Sequence, residues 1–531
     1  MSKAFSAFAT RTSSRVLFSR SIMSSSTLSA SSPYAKYTPL AEKACDFLTA
    51  SPDPFHAVRN CITKLEQAGF KGLKSSEPLT GQLEPGGKYY YTVEHSTLVA
   101  FAVGPKKNEG SFGFHMIGGH TDSPNIKLKP KSKKAASGCT MLSVECYGGG
   151  LWHTWFDRDL SVSGRVLVQQ QPQKVENEKF VTTEQRLVNL KDPIARISTL
   201  CIHLQSAEER KGFTVNKENH TAPIIATETT GIMSKENQAA KETLEKEAGE
   251  QVNTSTPASV WRDAQEPLLL QALADKLGVS TESIVDFELN LYDTQPASLG
   301  GITKEFLYSA RLDNLATVFC AMESLVDYTT AEDSTFKNSS DVALAVVFDH
   351  EEVGSTSAQG AGSPVMASAV ERIAAALNGG TMNPDLYNAC IRKSFILSID
   401  QAHAIHPNYA AKHEAQHAPK LNSGIVIKTN SNQRYATNGV TGFVVRELGR
   451  MADVPVQEFV VRNDCPCGST IGPTISANTG IRTVDAGMPQ LSMHSCREVM
   501  GIVDLTHGVN IFKAFYNHFR ELDDNLSKEI V

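Results

Sequence analysis

The sequence predicts an α/β protein: a mixed sheet flanked by helices, with a β-rich section inserted into it. Two observations predict this. Short apolar runs with strand composition alternate with helix-like segments toward both ends of the chain, and a stretch of different texture separates the two halves. The 531 residues are 41% hydrophobic and include 36 glycines, a globular proportion that excludes a disordered chain. Fifty-one basic side chains against 57 acidic ones give a net charge of -6, so no chain-wide positive field holds a polyanion, and nucleic acid is not an expected partner. No run approaches the roughly 18 apolar residues of a membrane span, so no membrane contact is expected. Ten scattered cysteines, with only Cys465 and Cys467 close together, read as reduced thiols of a non-secreted protein.

Residues 1–33 read as a disordered or targeting extension. Lys3, Arg11, Arg15 and Arg20 are interleaved with apolar and serine residues, and the first carboxylate is Glu42, as in a mitochondrial presequence. A start at Met23 would remove all four basic residues and leave a cytoplasmic form, so a mitochondrial or cytoplasmic location is expected. From Thr38 the pattern turns helical; Ser51 and Pro52 signal a second start, followed by Phe55, Val58, Ile62 and Leu65 at helical spacing. Tyr89 to Glu94, Leu98 to Val103 and Phe112 to Gly118 are strand-like. So are Val342 to Phe348, Phe395 to Ile399, Ile425 to Lys428, Glu458 to Val461 and Arg482 to Asp485, separated by helical segments near 312–328, 364–378, 437–452 and 505–522. Residues 34–123 and 296–531 are thus read as one α/β domain, the one that carries the candidate catalytic residues named below. Residues 124–295 form the insertion, with a lysine run (Lys127, Lys129, Lys131, Lys133, Lys134) read as a solvated face and a polar stretch from Ser234 to Pro257 read as a loop.

Six short segments hold the polar residues that resist a structural reading. They are Gly118 to Asp122, Arg311 to Asn314, Asp349 to Gly354, Ser398 to Asp400, Asp464 to Gly468 and Ser492 to Ser495, each at a strand end or a turn. Strand ends of one open α/β sheet converge on the crevice where ligands bind. His120, Asp313, Glu352, Asp400 and His494 supply imidazole and carboxylate ligands for two zinc ions if Asp313 bridges them, and two dications against three carboxylates and a shared hydroxide leave the site neutral. Manganese or cobalt also suits such ligands. Glu351 adjoins a ligand but points elsewhere, free to act as general base. Asp122 is placed to accept the second ring N–H of His120.

Gly119 to Pro124, Tyr147 to Gly150, Arg311 to Asn314, His350 to Ser355, His406 to Tyr409 and Ser492 to Ser495 resemble the aspartyl aminopeptidase family, of the vacuolar aminopeptidase type of dinuclear zinc exopeptidases, over roughly residues 34 to 525. The resemblance implies a zinc enzyme that removes Asp or Glu from unblocked peptide N-termini. By that likeness His494 and Glu352 hold one ion, His120 and Asp400 the other, Asp313 is shared, and Glu351 is the base. It further implies that the insertion is a dimerisation domain, that the chains assemble as a homo-oligomeric dodecamer, and that Lys412 pairs the acidic side chain of the substrate. His203, whose apolar neighbours first suggest a core histidine, would reach a neighbouring subunit's site, and Asp464 would hold the substrate α-amine. A metal-dependent carboxypeptidase or deacylase, and a non-catalytic self-assembling or cargo protein, are the alternatives; the second has no use for Glu351.

Overall fold

In the computed structural model the described residues are 32–106, 112–170, 182–227, 257–381 and 383–526. The presequence-like segment and most of the Ser234 to Pro257 stretch lie outside them. The main sheet has nine strands, in the order Lys71–Gly72, Lys88–Val93, Thr97–Val103, Val342–Phe348, Phe114–His120, Phe395–Ile399, Arg482–Gly487, Ile425–Lys428 and Val456–Phe459. Its centre is parallel: Val342–Phe348 and Phe395–Ile399 both run alongside Phe114–His120, while Thr97–Val103 is antiparallel. The three parallel strands therefore end on the same edge of the sheet.

Both faces of this sheet are covered. Along Val342–Phe348 every residue is buried, and alternate side chains enter opposite cores: Ala343, Ala345 and Val347 one, Val342, Leu344, Val346 and Phe348 the other. The first core is closed by the helices Thr38–Ala50, Pro54–Gln67, Leu312–Thr330, Gly439–Met451 and Ile502–Asn525, the second by Val365–Leu377, Pro384–Arg392 and Ile471–Thr479. Each fully buried Leu, Val or Phe there contributes about 1.5–3 kcal/mol. The helix expected to start at Ser51 or Pro52 is capped instead by the buried Asp53, whose carboxylate accepts the His56 amide at 3.0 Å. The third sequence strand is shifted by two residues and ends at His120 itself.

The insertion is a separate antiparallel sheet of six strands drawn entirely from residues 125–293, in the order Thr183–Asn189, Leu160–Gln169, Ile284–Asp293, Asn125–Ala136, Cys139–Tyr147 and Ile224–Thr227. It packs its own core, which includes Trp152, Trp155, Leu269 and Leu273. The lysine run occupies Asn125–Ala136: Ile126, Leu128 and Ser132 are buried, while Lys127 meets Glu288 at 2.9 Å and Lys129 meets Glu218 at 3.2 Å. A third sheet has the order Ser298–Gly300, Phe306–Ser309, Glu498–Gly501, Pro489–Leu491 and Ala402–His403, and two of its strands directly follow main-sheet strands in sequence, Ala402–His403 after Phe395–Ile399 and Pro489–Leu491 after Arg482–Gly487. Among the described residues no helix is long and apolar enough to cross a membrane.

Candidate metal centre

His120 is the last residue of its strand, Glu351 and Glu352 follow Val342–Phe348 in a short 3-10 turn, and Asp400 follows Phe395–Ile399. Three neighbouring parallel strands thus deliver an imidazole and three carboxylates to one place. Asp313 arrives from the start of helix Leu312–Thr330, where its φ/ψ of -81° and 104° depart from the helix. His494 arrives from a turn in which it and Ser492 have left-handed backbone, φ 65° and 60°.

Asp313 stands between the two histidines. Its Oδ1 lies 3.4 Å from His120 Nε2 and its Oδ2 lies 3.4 Å from His494 Nε2. His120 Nε2 is also 3.4 Å from Asp400 Oδ1, and His494 Nε2 is 3.3 Å from Glu352 Oε2. Each histidine thus faces a private carboxylate and one oxygen of the shared aspartate. Candidate ligand atoms of His120, Asp313 and Glu352, and of His120, Glu351 and Asp400, lie within 4.8 Å of one another. Glu351 therefore turns into the cluster, where the sequence placed it pointing elsewhere. The reason is local: Asp122 accepts the Glu351 amide on one oxygen and the Glu352 amide on the other, both at 3.1 Å, so the turn presents both side chains inward.

The opposite ring nitrogens are fixed by acceptors. His120 Nδ1 meets the main-chain oxygen of Asp122 at 3.0 Å, with the Asp122 carboxylate further off at 3.4 Å. His494 Nδ1 meets the carbonyl of Gly149 at 3.2 Å. In both rings Nε2 is left facing carboxylates while Nδ1 is held by an acceptor, as in histidines that bind metals. Tyr147 donates its hydroxyl to Asp122 at 2.7 Å, and burial first, then the neighbouring carboxylates, hold the phenol protonated.

The electrostatics of the cluster call for cations. Burial, then the charges of Asp400, Asp122 and Asp313 working against that of His120, lifts Glu351 to about 8. Glu352 is lifted well above the usual carboxylate range by burial and Asp313. Burial opposes protonation of His494, but Asp313 reverses this and raises it to about 9. Asp313 Oδ1 and Glu352 Oε1 are buried without a hydrogen-bond partner. Buried carboxylates in excess, two imidazoles and orphaned oxygens fit divalent metal ions with nitrogen and oxygen ligands.

Three residues named from the sequence lie outside this cluster. Lys412 is exposed and borders a cavity of about 280 Å³ together with His403, His406, Arg462 and Ser492. Asp464 is exposed and its two oxygens are engaged by Arg462 at 2.8 and 2.7 Å. His203 is exposed on the turn Ile202–Leu204, and its neighbours Ile202 and Leu204 are 62% and 71% exposed, so the core reading of this histidine is wrong. Two residues were missed. Lys428 is buried with Nζ 3.2 Å from Asp400 Oδ2. Glu498 is 2% exposed beneath the site, lifted to about 8 by burial and Asp313. For Lys428 the only sequence signal was a charged residue closing the apolar run Ile425 to Lys428.

Comparison with known proteins shows the family. A family model described as aminopeptidase I zinc metalloprotease (M18) matches residues 47–516. A Ricinus communis protein named probable aspartyl aminopeptidase is 46% identical over 488 residues, covering 91% of this chain and 96% of that one. The cryo-EM structure of an Ape4 and Nbr1 complex superimposes with a TM-score of 0.83 at 40% identity, covering 93% of this chain and 88% of that one. The S. cerevisiae mApe1 dodecamer gives a TM-score of 0.76 at 29% identity, covering 93% of this chain and all of that one. With the family model matching residues 47–516 and a relative 46% identical across nearly its whole length, the chain belongs to the aminopeptidase I zinc metalloprotease (M18) family.

Proposed function

We propose that this chain is a dinuclear zinc aminopeptidase that removes Asp or Glu from the unblocked N-termini of peptides. The observation that carries the reading is the pair of 3.4 Å approaches by which the two oxygens of Asp313 face two different histidines. His494 and Glu352 would hold one ion and His120 and Asp400 the other, with Asp313 placed to contribute to both. When bound, the ions supply Lewis acidity that polarises a peptide carbonyl and makes water acidic near neutral pH. Glu351, buried and lifted to about 8, takes the proton of the attacking water and returns it to the departing amine as the C–N bond breaks. Asp122 holds the Glu351 and Glu352 amides and so fixes where base and ligand stand.

A substrate carboxylate removed from water must meet a cation. Lys412 borders the cavity beside His403 and is proposed to supply it. The burial of Lys428 against Asp400 favours a second reading, in which that ammonium is the selective charge, since it is screened least. The name of the Ricinus communis relative supports acidic selectivity. The S. cerevisiae relative is a dodecamer, and the exposed Leu200, Ile202 and Leu204 around His203 suit burial against further copies of this chain; a homo-oligomer is proposed accordingly.

The test is an aminopeptidase assay on peptides beginning with Asp, Glu, Leu or Lys, with free or blocked amines, before and after chelation and zinc restoration. Release of Asp and Glu from free-amine peptides, abolished by chelator and restored by zinc, is expected. Cleavage of blocked peptides would favour a deacylase, cleavage from the other end a carboxypeptidase, and no cleavage a non-catalytic protein.

A further inference from the structure

We infer that Glu498 is a positioning residue that sets the spacing between the shared aspartate and His494, and through it the grip on one of the two ions; this rests on the dinuclear reading above. Glu498 opens the strand Glu498–Gly501, where it pairs with Ser309, two residues before Arg311. Its carboxylate is buried and accepts two main-chain N–H groups from segments far apart in the chain: Asp313 at 3.0 Å on Oε2 and His494 at 2.8 Å on Oε1. Neither amide sits in regular structure. Asp313 has left the helix geometry of its neighbours, and His494 has φ 65°.

One rigid carboxylate therefore ties together the two backbones whose side chains meet across 3.4 Å, His494 Nε2 and Asp313 Oδ2. The device is the counterpart of Asp122, which clamps the consecutive amides of Glu351 and Glu352. Between them, two buried acids orient four of the residues around the centre through main-chain bonds alone. Glu498 holds the shared Asp313 and also His494, while among the described residues no hydrogen bond joins it to His120 or Asp400, so its influence is weighted to the His494 side. It should govern the ion held by His494 and Glu352 more than the ion held by His120 and Asp400.

Both atoms Glu498 presents are acceptors, and both partners are donors. Glu498→Gln keeps size and shape but must point its NH2 at one of the two amides, leaving a buried donor facing a donor. Loss of an outer-shell partner of this kind weakens metal binding about 10- to 100-fold.

The experiment titrates full-length, metal-free wild type and Glu498→Gln with zinc against a chromophoric chelator, follows the cobalt(II) spectrum of each, and records the thermal midpoint without metal. Expected for Glu498→Gln are one ion held within about threefold of wild type, the other weakened at least about tenfold, an altered cobalt spectrum, and a metal-free midpoint close to wild type. Two ions at wild-type affinity would overturn the inference. Equal weakening of both ions with a lowered metal-free midpoint would also overturn it, marking Glu498 as a general structural residue. Should Glu498→Gln not fold, Glu498→Asp retains the charge but shortens the reach, and the same one-sided loss is expected; symmetrical binding by Glu498→Asp would count against the inference. A wild type that binds no pair of ions sinks the dinuclear reading itself, a result distinct from any shown by the variants.

Discussion

At the scale of single residues, Glu351 differs from the carboxylates around it in what it has left to do. Glu352, Asp313 and Asp400 face the histidines at 3.3 to 3.4 Å, whereas Glu351 has its amide fixed by Asp122 and its carboxyl raised to about 8. Glu351→Gln keeps the volume and loses the proton acceptor, so turnover should fall by about 10² to 10⁴ while zinc content stays at the wild-type value. Steady-state assays with elemental analysis of the same sample check this. The two candidate cations separate in the same way: Lys412→Leu and Lys428→Leu are each assayed on Asp and Leu peptides. The residue that confers selectivity is the one whose loss brings the two rates together, and unchanged ratios in a variant remove that lysine from the role.

The residues found from sequence and those missed differ in the kind of signal they carry. His120 ends a strand, Asp400 directly follows one and Glu352 lies in the short turn after another, and polar groups at such places are legible because strand ends gather at one edge. Lys428 also closes an apolar run, but its partner Asp400 lies 28 residues away and the partner of Glu498, Asp313, lies 185 away, so the local sequence does not show what either one meets. The first, core reading of His203 fails for the opposite reason. Apolar neighbours in sequence normally mean burial within the chain, and here they are exposed, as suits a surface that other copies cover.

Among elements, the three strands at the sheet centre were readable because they are fully buried and mostly apolar, Val342–Phe348 without interruption. Their order was not, since Val342–Phe348 inserts between strands that precede it by more than 200 residues and only long-range pairing decides that. Close approach matters next to this trio. A Cβ on Gly487 would lie 1.7 Å from the carbonyl oxygen of Asp400. Gly487→Ala must therefore displace the Asp400 backbone, and metal titration should show a weakened His120-side ion with the protein still folded. At the other end of the sheet, buried Asp341 meets Arg520 at 2.8 Å and His115 at 3.3 Å, joining the base of the central strands to helix Ile502–Asn525. Burial alone would raise its pKa, but His115 and Arg520 outweigh burial and hold it below the ordinary value. The unfolded chain then binds the proton more readily, so this stabilisation is present above the unfolded pKa of about 4 and is lost as pH falls further. Asp341→Asn should cost about 3 kcal/mol at pH 7, with the gap to wild type narrowing in acid; denaturant melts at pH 7 and pH 3.5 measure it.

For the whole molecule, the metal centre and the fold are linked through protons. Without metal, Glu351 at about 8 and Glu352 well above its usual range keep protons that the unfolded chain releases at ordinary carboxylate pH. The folded state binds the extra protons, so the stability of the metal-free protein falls as pH rises from about 4.5 toward 8. Metal replaces those protons, and its stabilising effect should grow over the same window. Calorimetry of metal-free and zinc-loaded protein at pH 6 and pH 8 should show the wider gap at pH 8; an equal gap would contradict the linkage. Assembly belongs to this scale as well. Light scattering should find a multiple of the chain mass, and charge substitutions at Ile202 and Leu204 should dissociate it.

Everything in the account passes through Asp313, whose two oxygens face different histidines. Elemental analysis of purified protein, wild type beside Asp313→Ala, tests this most directly. The account predicts two zinc ions per wild-type chain and a loss affecting both in Asp313→Ala; a wild type with one ion or none, or an Asp313→Ala variant that still holds two, would contradict it.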